Sequence, residues 1–241
     1  MNFNKMIYHY SVSFHFLPSK KNLEKRHFKT TQNMTLTLIS DTHFQHEKLD
    51  LPGGDMLVHA GDLCKYGTED EVIIFLEWFE KQAYTHKIFI AGNHDWFFEI
   101  YDNPYIDKII PPTIHYLNDL GVEIEGFKIW GSPVQPAFCD WAFNRKKGAE
   151  INKHWELIPK DTDILITHGP PFGILDQTDS NYNAGCEMLL KKVNQIKPKI
   201  HVFGHIHEGY GMIEKGKTIF ANASSVNSNY QMVNAPIVLN F

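Results

Sequence analysis

Ile200-His201-Val202-Phe203-Gly204-His205-Ile206-His207 decides how this chain is read. The apolar run of residues 200–203 has the length and character of a short buried strand. Gly204 ends it, and two histidines follow one residue apart. Just past a strand end, such a pair can turn both rings toward a shared point, which suits two metal ions better than one. Fourteen histidines in 241 residues make an occasional His-x-His unsurprising. The pair carries weight only if other segments bring carboxylates and further imidazoles to the same place.

They do so with a repeated pattern. Leu36-Thr37-Leu38-Ile39 reads as a strand ending at Ser40-Asp41-Thr42-His43. Met56-Leu57-Val58-His59 ends at Ala60-Gly61-Asp62, and Lys87-Ile88-Phe89-Ile90 at Ala91-Gly92-Asn93-His94-Asp95. Asp163-Ile164-Leu165-Ile166 ends at Thr167-His168-Gly169. In open α/β sheets, ligands bind outside the carboxyl ends of the strands, so these ends gather in one cleft. Glycines stand beside most of them, where backbone must turn sharply or approach a ligand closely. Asp, Asn and His without Cys suit Mn²⁺, Zn²⁺, Fe, Co²⁺ or Ni²⁺ rather than a thiolate cluster. The set is too large for one ion with an open position and suits two divalent ions sharing a carboxylate.

The composition fits a globular chain: 43% of residues are hydrophobic and the formal net charge is −5. That charge argues against a broad cationic nucleic-acid surface, though not against a small nucleotide at a metal site. Cys64, Cys139 and Cys186 are odd in number, far apart and in no Cys-x-x-Cys pattern, as expected of reduced, structural thiols in a cytoplasmic protein. No apolar stretch is long enough to span a membrane, and the polar alternation of residues 6–17 is unlike a signal peptide. Residues 1–33 read as a flexible basic extension, with Lys20, Lys21, Lys25, Arg26 and Lys29 crowded together, and Met34 is a plausible alternative start. Residues 34–241 form the domain.

The remaining elements follow from local signals. Thr68-Glu69-Asp70-Glu71 is a capping box opening a helix through residues 72–81. Residues 122–124 and 127–130 flank Glu125-Gly126 as a hairpin, and residues 212–214 and 218–221 flank Lys215-Gly216 as another. Residues 103–112 are punctuated by prolines, and residues 131–144 read as a long ordered loop. Helices are expected over 146–157 and 186–196, and a last strand over 236–241.

Asp41-x-His43, Gly61-Asp62, Gly92-Asn93-His94-Asp95, His168 and Gly204-His205-x-His207 resemble, in order and approximate spacing, the motifs of the calcineurin-like metallophosphoesterases. From about residue 35 onward the chain is most similar to the metallophosphoesterase-domain (MPPED) branch. Trp130-Gly131-Ser132-Pro133, Trp141-Ala142-Phe143-Asn144-Arg145, residues 167–173 and residues 207–211 carry that likeness. The resemblance implies an α/β fold, a four-layer αββα sandwich of two mixed β-sheets flanked by helices. It implies Asp41, His43 and His207 on one metal, Asn93, His168 and His205 on a second, and Asp62 bridging them. It also implies a metal-dependent phosphodiesterase, with Mn²⁺ the favoured metal and a cyclic nucleotide the favoured substrate. The reaction would be in-line attack by a metal-bridging hydroxide, with the ions about 3.5–4 Å apart and His94 as general acid to the leaving oxygen.

Asn93 and Arg145 are the candidate substrate contacts. Arg145 is the one arginine beyond the extension, and a surface arginine at a helix start is its bland alternative. Trp141 and Phe143 can stack a base, with core packing the plainer role for at least one. His59 and His201 lie inside strands and read as buried support. Asp95 is a weak candidate to orient His94, since the segment around Asp62 lacks the acid many relatives carry there. Tyr182 and Asn183 are placed near the cleft by loop position, and Asn222 with Ser224 near a strand end. The competing functions are a phosphomonoesterase or protein phosphatase, and a non-catalytic nucleotide-binding protein. The first would want additional arginines, and the second would show a damaged ligand set.

Overall fold

The computed structural model describes residues 34–240; the readings for residues 1–33 and Phe241 lie outside them. Two sheets dominate. In the first, β1 (Thr35–Ile39), β2 (Gly54–Ala60), β3 (Tyr84–Ile90) and β4 (Ile114–Tyr116) run parallel, and β13 (Ile237–Asn240) closes the β1 edge antiparallel. In the second, β6 (Phe127–Ser132), β9 (Ile164–Thr167), β10 (Ile200–Phe203) and β12 (Thr218–Asn222) run parallel. Antiparallel β5 (Leu120–Ile124) and β11 (Gly211–Lys215) flank them.

Strand alternation explains the layering. Leu36 and Leu38, Met56 and Val58, Ile88 and Ile90 share one buried cluster with Ile164, Ile166, Ile200 and Val202 of the other sheet. The intervening residues face outward, with Leu57 and Phe89 packing on Val72, Phe75 and Phe79 of helix α1 (Glu69–Glu80). Leu165 and Phe203 pack on Trp155 of α4 (Ala149–Leu157) and on Leu189 and Val193 of α5 (Glu187–Ile196). Helix, sheet, sheet and helix thus stack as the four-layer sandwich.

Local chemistry explains the element ends. The capping box forms as read: Thr68 accepts from the Glu71 N–H, and the Glu71 carboxylate reaches back to the N–H of Thr68, Gly67 and Tyr66. Glu125 (φ 50°) and Gly126 (φ 82°) are both left-handed, as a two-residue hairpin turn requires. Several elements differ from the sequence reading. The proline-punctuated stretch contains α3 (Asn103–Ile109), capped by Asp102 with a proline in its first turn, and the three-residue β4 follows. A short helix, α2 (Phe97–Ile100), follows His94, and a minimal pair, β7 (Gln135–Pro136) with β8 (Asn144–Arg145), organises the long loop. Helix α4 begins three residues later than expected, after Gly148 at φ 88°.

His46 is buried against Phe75 and Trp78, and its Nδ1 has no hydrogen-bond partner. Burial holds it down at about 4 from an ordinary value near 6.5. The unfolded chain takes up this proton as pH falls below about 6.5 and the folded chain does not, so His46 costs stability toward acid. His46→Phe keeps the ring and removes the proton. Its stability should gain roughly 2 kcal/mol over wild type between pH 8 and pH 5, measured by urea unfolding at both pH values.

Candidate metal centre

Both parallel sets of strands end at the same side of the sandwich, and the two sheets are joined there. Ser40 pairs with Ser224 in an isolated parallel bridge, and the Ser225 N–H donates to the Ser40 carbonyl (2.8 Å). The loops after β1 and β2 are zipped by Asp41 N–H to Gly61 O (2.9 Å) and His43 N–H to Asp62 O (3.0 Å). These bonds bring the strand-end residues together.

Donor atoms of Asp41, His43 and His207 converge within 4.8 Å of one another, as do those of Asp62, His168 and His205. Asp62 lies between the groups: its Oδ2 is 3.8 Å from His43 Nε2 and its Oδ1 is 3.4 Å from His168 Nε2. Asn93 joins the second group, with Oδ1 2.9 Å from His168 Nε2. His94 closes on Asp62 and His43 in a third group.

Hydrogen bonds decide which ring nitrogens face inward. His168 Nδ1 lies 3.0 Å from Ala60 O, His207 Nδ1 3.2 Å from Asn227 O, and His94 Nδ1 2.9 Å from Lys65 O. A carbonyl only accepts, so each Nδ1 carries the proton and each Nε2 is left for the cleft. His43 Nε2 and His207 Nε2 stand 3.3 Å apart, two nitrogens aimed at each other. Such a contact is favourable only with a proton or a cation between them. Together with two buried carboxylates and a carboxamide oxygen, this donor set fits divalent metal.

The electrostatics agree. Burial alone would raise the Asp41 and Asp62 carboxyls, but their histidine neighbours hold both well below the usual range, His207 for Asp41 and His168 for Asp62. Burial would lower His168, yet the Asp62 charge carries it up to about 9. Burial holds His43 near 4, and burial with the His168 charge holds His205 near 3. Without metal, a proton on His168 therefore balances Asp62, and Asp41 raises the proton affinity of His207. A metal taking those nitrogens displaces the protons, so its binding weakens toward acid.

The centre is strained. Asp41 (φ 52°), His43 (41°), Asp62 (57°) and His205 (67°) all occupy the left-handed region. Each such residue costs on the order of 1–3 kcal/mol and persists where surrounding bonds over-determine it. Ser224 Oγ donates to Asp41 Oδ2 (2.6 Å), the His205 N–H donates to the same carboxylate (3.0 Å), and the His94 N–H donates to Asp62 Oδ1 (2.8 Å). Asn222 supports this network by accepting from the Ser224 N–H and donating to the Ile206 carbonyl. Gly204 has no room for a side chain: a methyl there would fall on the Asp41 carboxylate and the Ser40 hydroxyl. Gly204→Ala should destabilise the fold by about 1–3 kcal/mol and lower metal content. Urea unfolding and elemental analysis would check both.

Other sequence readings resolve individually. Asp95 does not orient His94. Its buried carboxylate accepts from the N–H groups of Gly92 (2.7 Å), Cys64 (2.9 Å) and Leu63 (3.3 Å), tying the β2 and β3 loops together, while His94 donates through Nδ1–H to the Lys65 carbonyl. His59 bonds Thr42 and His201 bonds Thr167, both 2.9 Å, as buried support. Phe143 is core, whereas Trp141 is half-buried and stacks on His94. Arg145 pairs with Glu99 (3.3 Å). Tyr182 and Asn183 line a separate cleft with Lys147 and Phe172. The sequence reading missed Tyr230, whose ring packs on His43 and His207. It stands in a polar turn with no strand signal before it.

A family model described as calcineurin-like phosphoesterase matches residues 34–209. The chain is 42% identical over 224 residues to metallophosphoesterase domain-containing protein 1 of Homo sapiens, covering 83% of this chain and 69% of that protein. It is 37% identical over 220 residues to a UPF0046 protein of Caenorhabditis elegans, covering 86% and 75%. Among solved structures, the phosphopantetheinyl hydrolase of Mycobacterium tuberculosis aligns with a TM-score of 0.54 at 15% identity, over 81% of this chain and 90% of that one. At that identity the likeness speaks for the fold alone.

Proposed function

This chain belongs to the calcineurin-like phosphoesterase family, and from that premise we propose that it is a dinuclear phosphodiesterase acting on small diesters, with cyclic nucleotides favoured. Membership makes it a metal-dependent phosphoester hydrolase. The finer reading rests above all on Asp62, whose two oxygens face separate histidine groups.

Asp41, His43 and His207 would hold one ion, and Asn93, His168 and His205 the other, with Asp62 shared. Divalent ions there, Mn²⁺ favoured, would acidify water and neutralise charge growing on the phosphoryl group. Nδ1–H carbonyl bonds aim the nitrogens of His168 and His207, and N–H donors fix the carboxylates. With both ring nitrogens protonated and Nδ1–H donated to the Lys65 carbonyl, His94 would give its Nε2 proton to the leaving oxygen as general acid and be left neutral.

A diester monoanion suits this site better than a monoester dianion. The dianion would want a further cation, and the Arg145 guanidinium is paired with Glu99. That pairing also weighs against Arg145 as a phosphate contact and against a protein phosphatase. A cytoplasmic setting accords with three free cysteines, two of them buried; no helix among the described residues is long and apolar enough to cross a membrane.

The test is elemental analysis of the purified protein, followed by rates with bis-p-nitrophenyl phosphate, p-nitrophenyl phosphate, and 2′,3′- and 3′,5′-cyclic nucleotides in Mn²⁺. Two equivalents of metal and a preference for diesters are expected. One equivalent, or faster monoester hydrolysis, would overturn the proposal.

A further inference from the structure

We propose that Trp141 is the positioning residue for His94, and that the loop of residues 137–145 is anchored so as to hold it in place. The inference rests on the phosphoesterase reading above, in which His94 delivers a proton.

Three close contacts hold the His94 ring, with the Tyr230 ring farther off at 6.2 Å. Nδ1–H bonds the Lys65 carbonyl at 2.9 Å, the His43 ring meets it edge-on at 4.6 Å and 79°, and the Trp141 indole lies nearly flat against it at 4.3 Å and 28°. The Lys65 bond fixes one atom but leaves the ring free to rock about it. A flat stack removes that freedom, because turning the imidazole drives its edge into the indole. The proton on Nδ1 and the stack together keep Nε2 directed toward Asp62 and His43.

Core packing does not explain where Trp141 stands. Its neighbours Ala142 and Phe143 are buried in the cluster under α1, and Trp141 is in none of the three described clusters. The loop is instead tied to the segment that carries His94. The Ala142 N–H donates to the Asn93 carbonyl (3.2 Å). Glu99, in the helix just after His94, accepts from the Phe143 N–H through Oε2 (3.2 Å) and from Arg145 Nη1 through Oε1 (3.3 Å). Asn144 closes the loop on itself by donating to the carbonyls of Phe138 and Cys139, both 3.1 Å. Cys139 (φ 51°) and Phe143 (φ 56°) are left-handed, a cost these bonds offset. The two segments are thus cross-linked on either side of the stack, and Arg145 acts as part of the anchor.

Trp141→Leu should leave metal content and KM close to wild type and lower kcat. Misplacing a catalytic group by about 1 Å costs up to about 10²-fold. The loss should approach that for phenyl or alkyl diesters, whose leaving oxygens need the proton, and stay under about threefold for the p-nitrophenyl diester. Trp141→Phe, which keeps a stacking ring, should restore most of the rate. A second readout needs no catalysis: carbethoxylation of His94 by diethyl pyrocarbonate in metal-free protein, mapped by peptide mass spectrometry. Its rate should rise several-fold in Trp141→Leu, rise less in Glu99→Gln, and match wild type in Trp141→Phe. An unchanged His94 rate in Trp141→Leu overturns the proposal. So does an equal kcat loss for good and poor leaving groups that Trp141→Phe does not rescue. If wild type hydrolyses no ester, the phosphoesterase reading fails, and the modification rates still decide what holds His94.

Discussion

Asp62→Ala should abolish metal-dependent hydrolysis, by on the order of 10³-fold or more, the scale of losing a preorganised charge at a reacting centre. The reason is its position. One carboxylate serves both groups, with Oδ2 toward His43 and Oδ1 toward His168. In the proposed dinuclear centre its removal would take a ligand from each ion, and it leaves the His168 imidazole without the partner that holds its proton. Elemental analysis should therefore find both ions depleted. Asp62→Asn, with the same shape and no charge, should behave alike, which separates loss of charge from loss of packing. His205→Ala is the contrast: its ring belongs with Asp62 and His168 and not with Asp41 and His43, so one ion should weaken selectively. Equal loss of both ions in His205→Ala would show that the two groups do not act as separate sites.

His94→Gln should lower kcat by about 10²–10⁴-fold with metal content unchanged. Its Nδ1 is spent on the Lys65 carbonyl and its main-chain N–H holds Asp62 Oδ1. The second bond survives substitution, so the bridging carboxylate keeps its place while the proton donor is lost. The deficit should grow as the leaving alcohol becomes more basic. Loss of metal together with rate would mean that His94 acts as a ligand.

Much of this was legible beforehand. The strand-end residues Asp41, His43, Asp62, Asn93, His168, His205 and His207 were all named from apolar runs, and the structure brings them within reach of one another. The capping box at Thr68 and the turn at Glu125-Gly126 were legible because their chemistry is local. Helix α3 was missed because Pro104 and the prolines after it read as a break, although a proline in the first turn starts a helix well. Strand β4 is too short to show a period. Asp95 was misread because adjacency to His94 suggested a partnership, while its carboxylate turns away to three backbone N–H groups.

Order along the chain was enough to specify an α/β fold with hairpins and the candidate ligands at its strand ends, since a buried run and the residue that ends it are neighbours whose types can be read together; the four layers were implied only by the family resemblance. What holds the reactive side chains was another matter. That His94 rests on Trp141 and the Lys65 carbonyl, that Tyr230 covers His43 and His207, and that Arg145 is spent on Glu99 depend on where separate loops meet. Those meetings are set by backbone bonds between distant segments and by left-handed turns at polar residues, which leave no periodic trace in the amino-acid order.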